Sequence, residues 1–595
     1  MYSLLSKKVN LVLFALTLIK TIDASEIIKL SPIALRDDFS FFSGPSFSSS
    51  KLVTKEEESF LYGSIDDLIE SEFNIDIQQR GLFAVQSELN IRASSFEQSL
   101  VVVDGVNLSD PQTSHFSMDL PLSNYDWQSI KVLKGSSSSL YGSHAIGGVL
   151  DIETVSPREN NLRVSSTFGE KQLRVFDIAL DRVSEPLNYH LSIQQSSSAS
   201  YREETDFSSF NIFSKFIFNE IFGSPKVVLA HNSKKFGASS FYSSSYPREE
   251  ENIDTELYIV NFDFIWNNFA FSPILYFRRH WDKFILDRSN PDLFKNVSTN
   301  YIRGIKLPFS FAMLDTGIDL SLEVREEEID STNMGKHSRS LFSLSTAASK
   351  ELSDRLSCLI SFRIDNYSGL DIEVSPGLYL EYRLTEDKGI FSSFQRAYRV
   401  PSFTELYYSS PANIGNLSLS VEDSFSIELG YLKKGILSYG ASVFRRFDYN
   451  LIDWARNSTS DAWRAQNVSY AKTDGIEGWL SYDDFKFSYA LFDAEHKSRA
   501  SYSKYIANYL QYNFSVSQKI ETDYFNINLG LSYQERVKNS GFFNLDVVLF
   551  KEIILKGNSV DLYLKFMNLT NASKSDIGGV PLPGRWVSMG IAMAF

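Results

Sequence analysis

Over much of the chain, and most regularly toward its end, apolar and polar residues alternate one for one. Val587, Met589, Ile591, Met593 and Phe595 interleave with Ser588, Gly590, Ala592 and Ala594, the period of a β-strand whose two faces meet different surroundings. The same period runs through Phe525, Ile527, Leu529 and Leu531, through Val560, Leu562, Leu564 and Phe566, and through Phe425, Ile427, Leu429 and Tyr431. Ser426, Glu428 and Gly430 oppose the last of these sets. A soluble β-sandwich alternates too. The number of such stretches, and their continuation to Phe595, favour a closed barrel with lipid on one face and a lumen on the other.

From residue 157 to the end there is room for about 22 antiparallel strands at ~10 residues each plus connections. A barrel that wide leaks unless something fills it. The stretch before residue 157 has a different texture, with shorter strands and glycine turns. In Leu100 to Val106 the Asp104-Gly105 pair is a tight-turn signal. The expected fold is therefore an all-β membrane protein. It is a ~22-stranded antiparallel outer-membrane β-barrel with an N-terminal α/β plug domain in the lumen.

Composition sharpens this picture. Aromatics reach 14%, with 47 Phe and 30 Tyr, as the aromatic girdles of membrane barrels require. The net charge of −15 excludes a phosphate-tracking surface and hence nucleic acid as a partner. Lys7 and Lys8, the apolar run Val9 to Ile19, and Ala24 follow the order of a secretory signal peptide over residues 1–24. That run is shorter than the ~20 residues a spanning helix needs. The single cysteine, Cys358, rules out an intrachain disulfide or a cysteine metal site and reads as a small buried hydrophobe.

Three groups of residues carry a more specific likeness. The first runs from Asn90, Arg92 and Ala93 through Leu100 to Val106 and on from Ile130, Lys131, Lys134, Gly135, Tyr141 and Gly142 to Gly147, Gly148 and Ile152. The second comprises Phe394 to Tyr407 and Asn467 to Gly478, and the third Asn568 to Asn571 with Pro583, Gly584, Arg585 and the terminal strand. Together, in this order, they resemble the plug and barrel of TonB-dependent outer-membrane receptors, and within that family the cobalamin receptor group. Three positions depart from the family pattern: Ala93 stands where Gly is usual, Lys134 where Arg is usual, and Ser136 where Pro is common. Lys keeps the charge at 134 but lacks Arg's bidentate fork.

The resemblance implies a receptor and transporter of the cell outer membrane. It would import a scarce metal chelate, an iron–siderophore complex or cobalamin, into the periplasm. Its partners would be TonB with its inner-membrane energising complex, the chelate and outer-membrane lipid, and no cofactor is implied. The expected division is 1–24 signal peptide, 25–39 N-terminal extension, 40–156 plug and 157–595 barrel. Within the extension Glu26, Ile27, Ile28, Lys29, Leu30, Ser31, Pro32 and Ile33 form an extended segment able to pair as an added strand. That segment is the candidate TonB box. The resemblance also sets two basic plug residues, Arg92 and Lys134, against two acidic barrel residues, Glu428 and Glu477, as a plug–barrel lock.

His115, with Gln112 and Asp110 beside it, lies in a plug loop that could face an entering ligand. His280 next to Trp281 suggests a barrel rim, with the indole in the interface. No Ser-His-Asp signature, zinc-type His spacing or nucleophile elbow occurs, so an enzyme is not expected. A passive, substrate-specific porin is the alternative function. The plug residues argue against it, because a diffusion pore has no use for a separate globular domain.

Overall fold

The computed structural model describes residues 49–53, 61–81, 85–242, 245–266, 269–498, 500–505, 508–576 and 579–595. The expected signal peptide and the candidate TonB box, Glu26 to Ile33, lie outside them. Among the described residues 22 long strands, from β8 (Asn161–Gly169) to Trp586–Ala594, join edge to edge. The last pairs antiparallel with β8, with Ile591 opposite Ser166, so no edge is left to lipid.

The alternation seen in the sequence becomes a wall with its polar side inward. On the strand Thr316–Ser331, Asp319, Ser321, Glu323, Arg325 and Glu327 are buried toward the lumen, while Ile318, Leu320, Leu322 and Val324 point outward. Exposed Ile360, Phe362, Ile427 and Met589 continue this apolar exterior around the barrel. A surface of that kind is stable only against hydrocarbon. No helix among the described residues is long and apolar enough to cross a membrane.

Connections differ between the two ends. Met313–Thr316, Ser353–Leu356 and Tyr482–Phe485 are tight turns, whereas long segments join Arg399 to Glu422 and Met567 to Trp586 at the opposite end. Short turns mark the periplasmic end of such barrels and long loops the extracellular one.

Inside the barrel sits a mixed sheet of β1 (Ser49–Val53), β4 (Ser99–Val103), β5 (Val106–Asn107), β6 (Trp127–Lys134) and β7 (Gly148–Thr154), in the order β1-β6-β7-β4-β5. The β4–β7 pair is parallel and the others are antiparallel. Asp104 and Gly105 close the β4–β5 hairpin with φ of +46° and +80°, the pair of left-handed residues that a two-residue type I′ turn demands. A short hairpin, β2 (Asp76–Gln79) with β3 (Ser87–Asn90), and two helices, α1 (Ile65–Phe73) and α2 (Ser138–Tyr141), complete the plug. Ser64 caps α1 by accepting from the Asp67 amide at 3.3 Å, and Asn74 ends it at φ +50°.

The plug core continues into the barrel wall. Val101, Ile130, Val132 and Ile152 share one buried cluster with Phe213, Val228, Leu257 and Ile302 of the barrel, so one flank of the plug is held by ordinary apolar burial.

Two local readings differ from expectation. Cys358 is half-buried and belongs to the outward-facing set with Ile360 and Phe362, not to a core. His280 is not at a rim: on the strand Ile274–Ile285 it alternates with outward Trp281 and is fully buried in the lumen, 2.9 Å from Thr255 Oγ1 and packed on the Phe116 ring.

Candidate functional site

Arg92 lies just beyond β3 in a left-handed turn, with φ of +55° at Arg92 and +53° at Ala93. That turn aims the guanidinium at the barrel wall. Its Nη1 and Nη2 donate to the two oxygens of Glu428 at 2.9 and 2.6 Å, and its Nε donates to Glu477 Oε2 at 2.6 Å. Lys134, the last residue of β6, reaches the other oxygen of Glu477 at 3.2 Å. Glu428 and Glu477 are inward-facing residues of Glu422–Lys433 and Trp463–Tyr482, both of which pair with Leu437–Arg456 between them. All four residues expected in the lock are thus brought together.

The two cations play unequal parts. Arg92 forks onto Glu428 and lies 4.3 Å over the Phe444 ring, while Lys134 makes one longer contact. Burial acts to lower the Arg92 pKa, but the Glu428 and Glu477 carboxylates outweigh it and hold the guanidinium above the ordinary arginine range. Gly135 leaves the room for this: a Cβ there would come within 2.8 Å of Arg92 Nη1, and its φ of +96° suits glycine alone.

Other polar ties span the same boundary, and no sequence signal pointed to them. Asp76 accepts from Arg536 Nη1 at 2.7 Å, Asp110 from Arg278 at 2.5 Å, and Gln98 donates to Glu422 at 2.8 Å. Asp126 meets His190 Nε2 at 2.9 Å and accepts from Ser192 Oγ at 2.5 Å. The Asp126 carboxyl lies below its usual range: burial alone would raise it, and the bonds from His190 and Ser192 prevail. Each barrel partner is inward-facing, but nothing in the chain reveals which of many inward charges ends up beside which plug residue.

Above the plug, between its apical turns and the long loops, lies a cavity of about 470 Å³. Gln112 and His115 line it. Asp110 does not; its carboxylate is engaged by Arg278 and Asn300. His115 is in a single helical turn, Ser114–Phe116, with its Nδ1 2.5 Å from Glu88 and its ring stacked on Phe96 at 4.1 Å. Tyr505 packs edge-on to both rings, and with Trp454 and Tyr408 these groups give the cavity an aromatic wall. Beneath them Glu97 accepts from Thr113 and Ser114, and burial, reinforced by Glu405, pushes its pKa up to about 7. Lys504, donating to Asn413 at 2.8 Å and lying over Trp454 and Trp463, is lowered by burial to about 8. The cavity is concave, aromatic on one side and polar on the other, as small-molecule sites are.

Among the described residues, one group with metal-ligand spacing is His231, Asp254 and Glu256. It lies on the outer face, where Arg279 already donates to both carboxylates at 3.2 and 3.1 Å. It is separate from the cavity.

The chain matches the family described as "TonB dependent receptor-like, beta-barrel" over residues 133–569 and the "TonB-dependent Receptor Plug Domain" over residues 47–149. It is 22% identical over 475 residues to the vitamin B12 transporter BtuB of Vibrio vulnificus, covering 72% of each chain. Among solved structures, the siderophore receptor PirA from Pseudomonas aeruginosa aligns with a TM-score of 0.71 at 16% identity, covering 93% of this chain and all of that one. The FrpB iron transporter from Neisseria meningitidis aligns with a TM-score of 0.74 at 14% identity, covering 92% and 99%. At such identities the structural likeness establishes the fold alone.

Proposed function

The chain belongs to the TonB-dependent receptor family, receptors and transporters of the outer membrane, and from that membership we propose that it imports a scarce metal chelate, an iron–siderophore complex or cobalamin, into the periplasm. The observation that carries this reading is the cavity above the plug. It opens among the extracellular loops and is floored by a folded domain, the arrangement of a capture site and not of a diffusion pore.

Passage then requires the floor to move or reshape. Away from the flank held by apolar burial, the plug is tied to the wall by discrete polar contacts, with Arg92 between Glu428 and Glu477 as the most concentrated of them. Such contacts can be exchanged for others without unfolding a core, which suits a domain that must yield and return. The outer membrane offers no nucleotide energy, so the work arrives by contact with TonB. Residues 26–33, in the extension 25–39 that precedes the plug of 40–156 and the barrel of 157–595, provide the handle, pairing as an added strand.

Uptake of labelled chelates by cells expressing the chain tests the proposal. Accumulation of at least one of them that stops when the proton-motive force is collapsed supports it. Steady ion conductance through the purified intact protein, with uptake indifferent to the proton-motive force, would instead mark a passive porin.

A further inference from the structure

The cavity has a marked sign. Glu88, Glu97, Glu405, Glu422, Asp448 and Asp453 contribute carboxylates to its lining, joined by Glu251 and Asp282, against Arg80, Arg446 and Lys504. Two of the three cations are already paired with carboxylates. Arg80 bonds Glu88 at 3.0 Å and Arg446 Nε is shared between the two oxygens of Asp448 at 2.9 and 3.0 Å, while Lys504 donates to the neutral amide of Asn413.

Glu251 and Asp282 differ from the other carboxylates. Both are only 2% exposed and both line the cavity. Glu251 Oε1 accepts from Tyr242 at 2.9 Å, but Glu251 Oε2 and Asp282 Oδ1 have no hydrogen-bond donor among the described residues. The two side chains lie diagonally on adjacent strands, where Ile253 faces Asp282 and Glu251 faces Phe284, a spacing of about 7–8 Å. Across the cavity both ring nitrogens of His496 are likewise buried without a partner among the described residues. Buried acceptors left open cost stability; turned toward a cavity, they are acceptors held ready for a donor from outside.

Resting on the import reading above, we propose that the cargo is a chelate of neutral or positive net charge whose periphery carries N–H donors, amide or ammonium, and that Glu251 and Asp282 receive those donors while the Phe96, Tyr505 and Trp454 wall packs its apolar part. A polyanionic chelate is excluded, because eight acidic side chains line the cavity against three cations, two of which are already paired with Glu88 and Asp448.

The test is binding to the purified full-length protein, followed by tryptophan fluorescence and equilibrium dialysis. Three probes span the charge range: cyanocobalamin, rich in neutral amides; a ferric trihydroxamate bearing a free ammonium; and a ferric tris-catecholate, a trianion. The first or second binds and the third does not. Glu251→Gln and Asp282→Asn each weaken that binding by about tenfold or more, in protein that keeps the heat-modifiable migration of a folded barrel. If the ammonium probe is the one bound, added salt weakens its binding to the unaltered protein, a readout that needs no variant. Preference for the tris-catecholate, or affinities untouched by both substitutions, overturns the inference and leaves the import reading standing. Failure of all three probes to bind overturns both.

Discussion

Arg92 and Glu428 face each other across the plug–barrel boundary through two parallel N–H···O bonds of 2.9 and 2.6 Å, while Arg92 Nε turns to Glu477. Both ends of this pair are nearly solvent-free. Removing one partner of such a pair leaves an uncompensated buried charge and costs about 3–5 kcal/mol. Arg92→Ala therefore lowers the thermal stability of the plug and raises ion leakage through the purified barrel. Lys134→Ala, which gives up a single longer contact at a more exposed site, has the smaller effect on both. Gly135→Ala, whose Cβ would strike Arg92 Nη1, reproduces the Arg92→Ala leak without touching a charge. Equal stability and leakage in all three variants would contradict this ranking.

Ala93 carries a Cβ at φ +53°, where the family usually has glycine. An alanine in the left-handed region is strained by roughly 1–2 kcal/mol, part of which glycine returns as unfolded-state entropy. Ala93→Gly should then stabilise the plug by about 0.5–1 kcal/mol in calorimetry of the intact protein, with the Arg92 contacts kept. Destabilisation would show that the methyl group, which packs beside Phe444 and Phe492, matters more than the strain.

Much of this architecture is legible in the chain, and what escapes has a physical reason. A period of two survives any tertiary context that keeps one face in lipid and the other in a lumen, so strand Glu422–Lys433 and its inward Glu428 could be read directly. His280 and Cys358 were legible by the same rule. Phe277, Arg279 and Trp281 set the outward parity that turns His280 inward, and Ile360 and Phe362 set the parity that turns Cys358 outward. The partnership of Arg92 and Lys134 with Glu428 and Glu477 came from family likeness and not from spacing, since some 340 residues separate Arg92 from Glu428. Asp76 with Arg536, and the open pair Glu251 and Asp282, had no such guide. Strand register sets Glu251 beside Asp282, but which plug groups meet these barrel residues depends on how far the plug is rotated in the barrel, which no local pattern encodes.

Glu70, on α1, is half-buried and accepts from Gln534 at 3.0 Å. Burial raises its pKa to about 7, with nearby Lys574 opposing. A carboxyl raised in the folded state holds its proton there when the unfolded chain has released it, so stability falls as pH climbs from about 4.5 to 7. Glu70→Gln keeps an acceptor for Gln534 and removes the ionisation. At pH 8 the variant should be more stable than the parent by about 1–2 kcal/mol, and near pH 4 the two should converge. A variant weaker at pH 8 would mean that Glu70 is held ionised by Lys574.

Ser139 of α2 and Ser361 of the barrel strand Leu356–Tyr367 meet Oγ to Oγ at 2.8 Å in a buried position, close enough for a disulfide after double substitution to cysteine. With Cys358→Ser as background, oxidised Ser139→Cys/Ser361→Cys protein should bind chelate and fail to import it, and reduction should restore import. Full import by the oxidised form would place the moving part of the plug elsewhere than α2.

Active import by TonB contact is the central claim, and deletion of residues 26–33 tests it most directly, with surface binding and accumulation of the same labelled chelate measured side by side on whole cells. Binding should persist and accumulation should vanish. Undiminished accumulation in the deleted protein would contradict the account and leave a passive pore in its place.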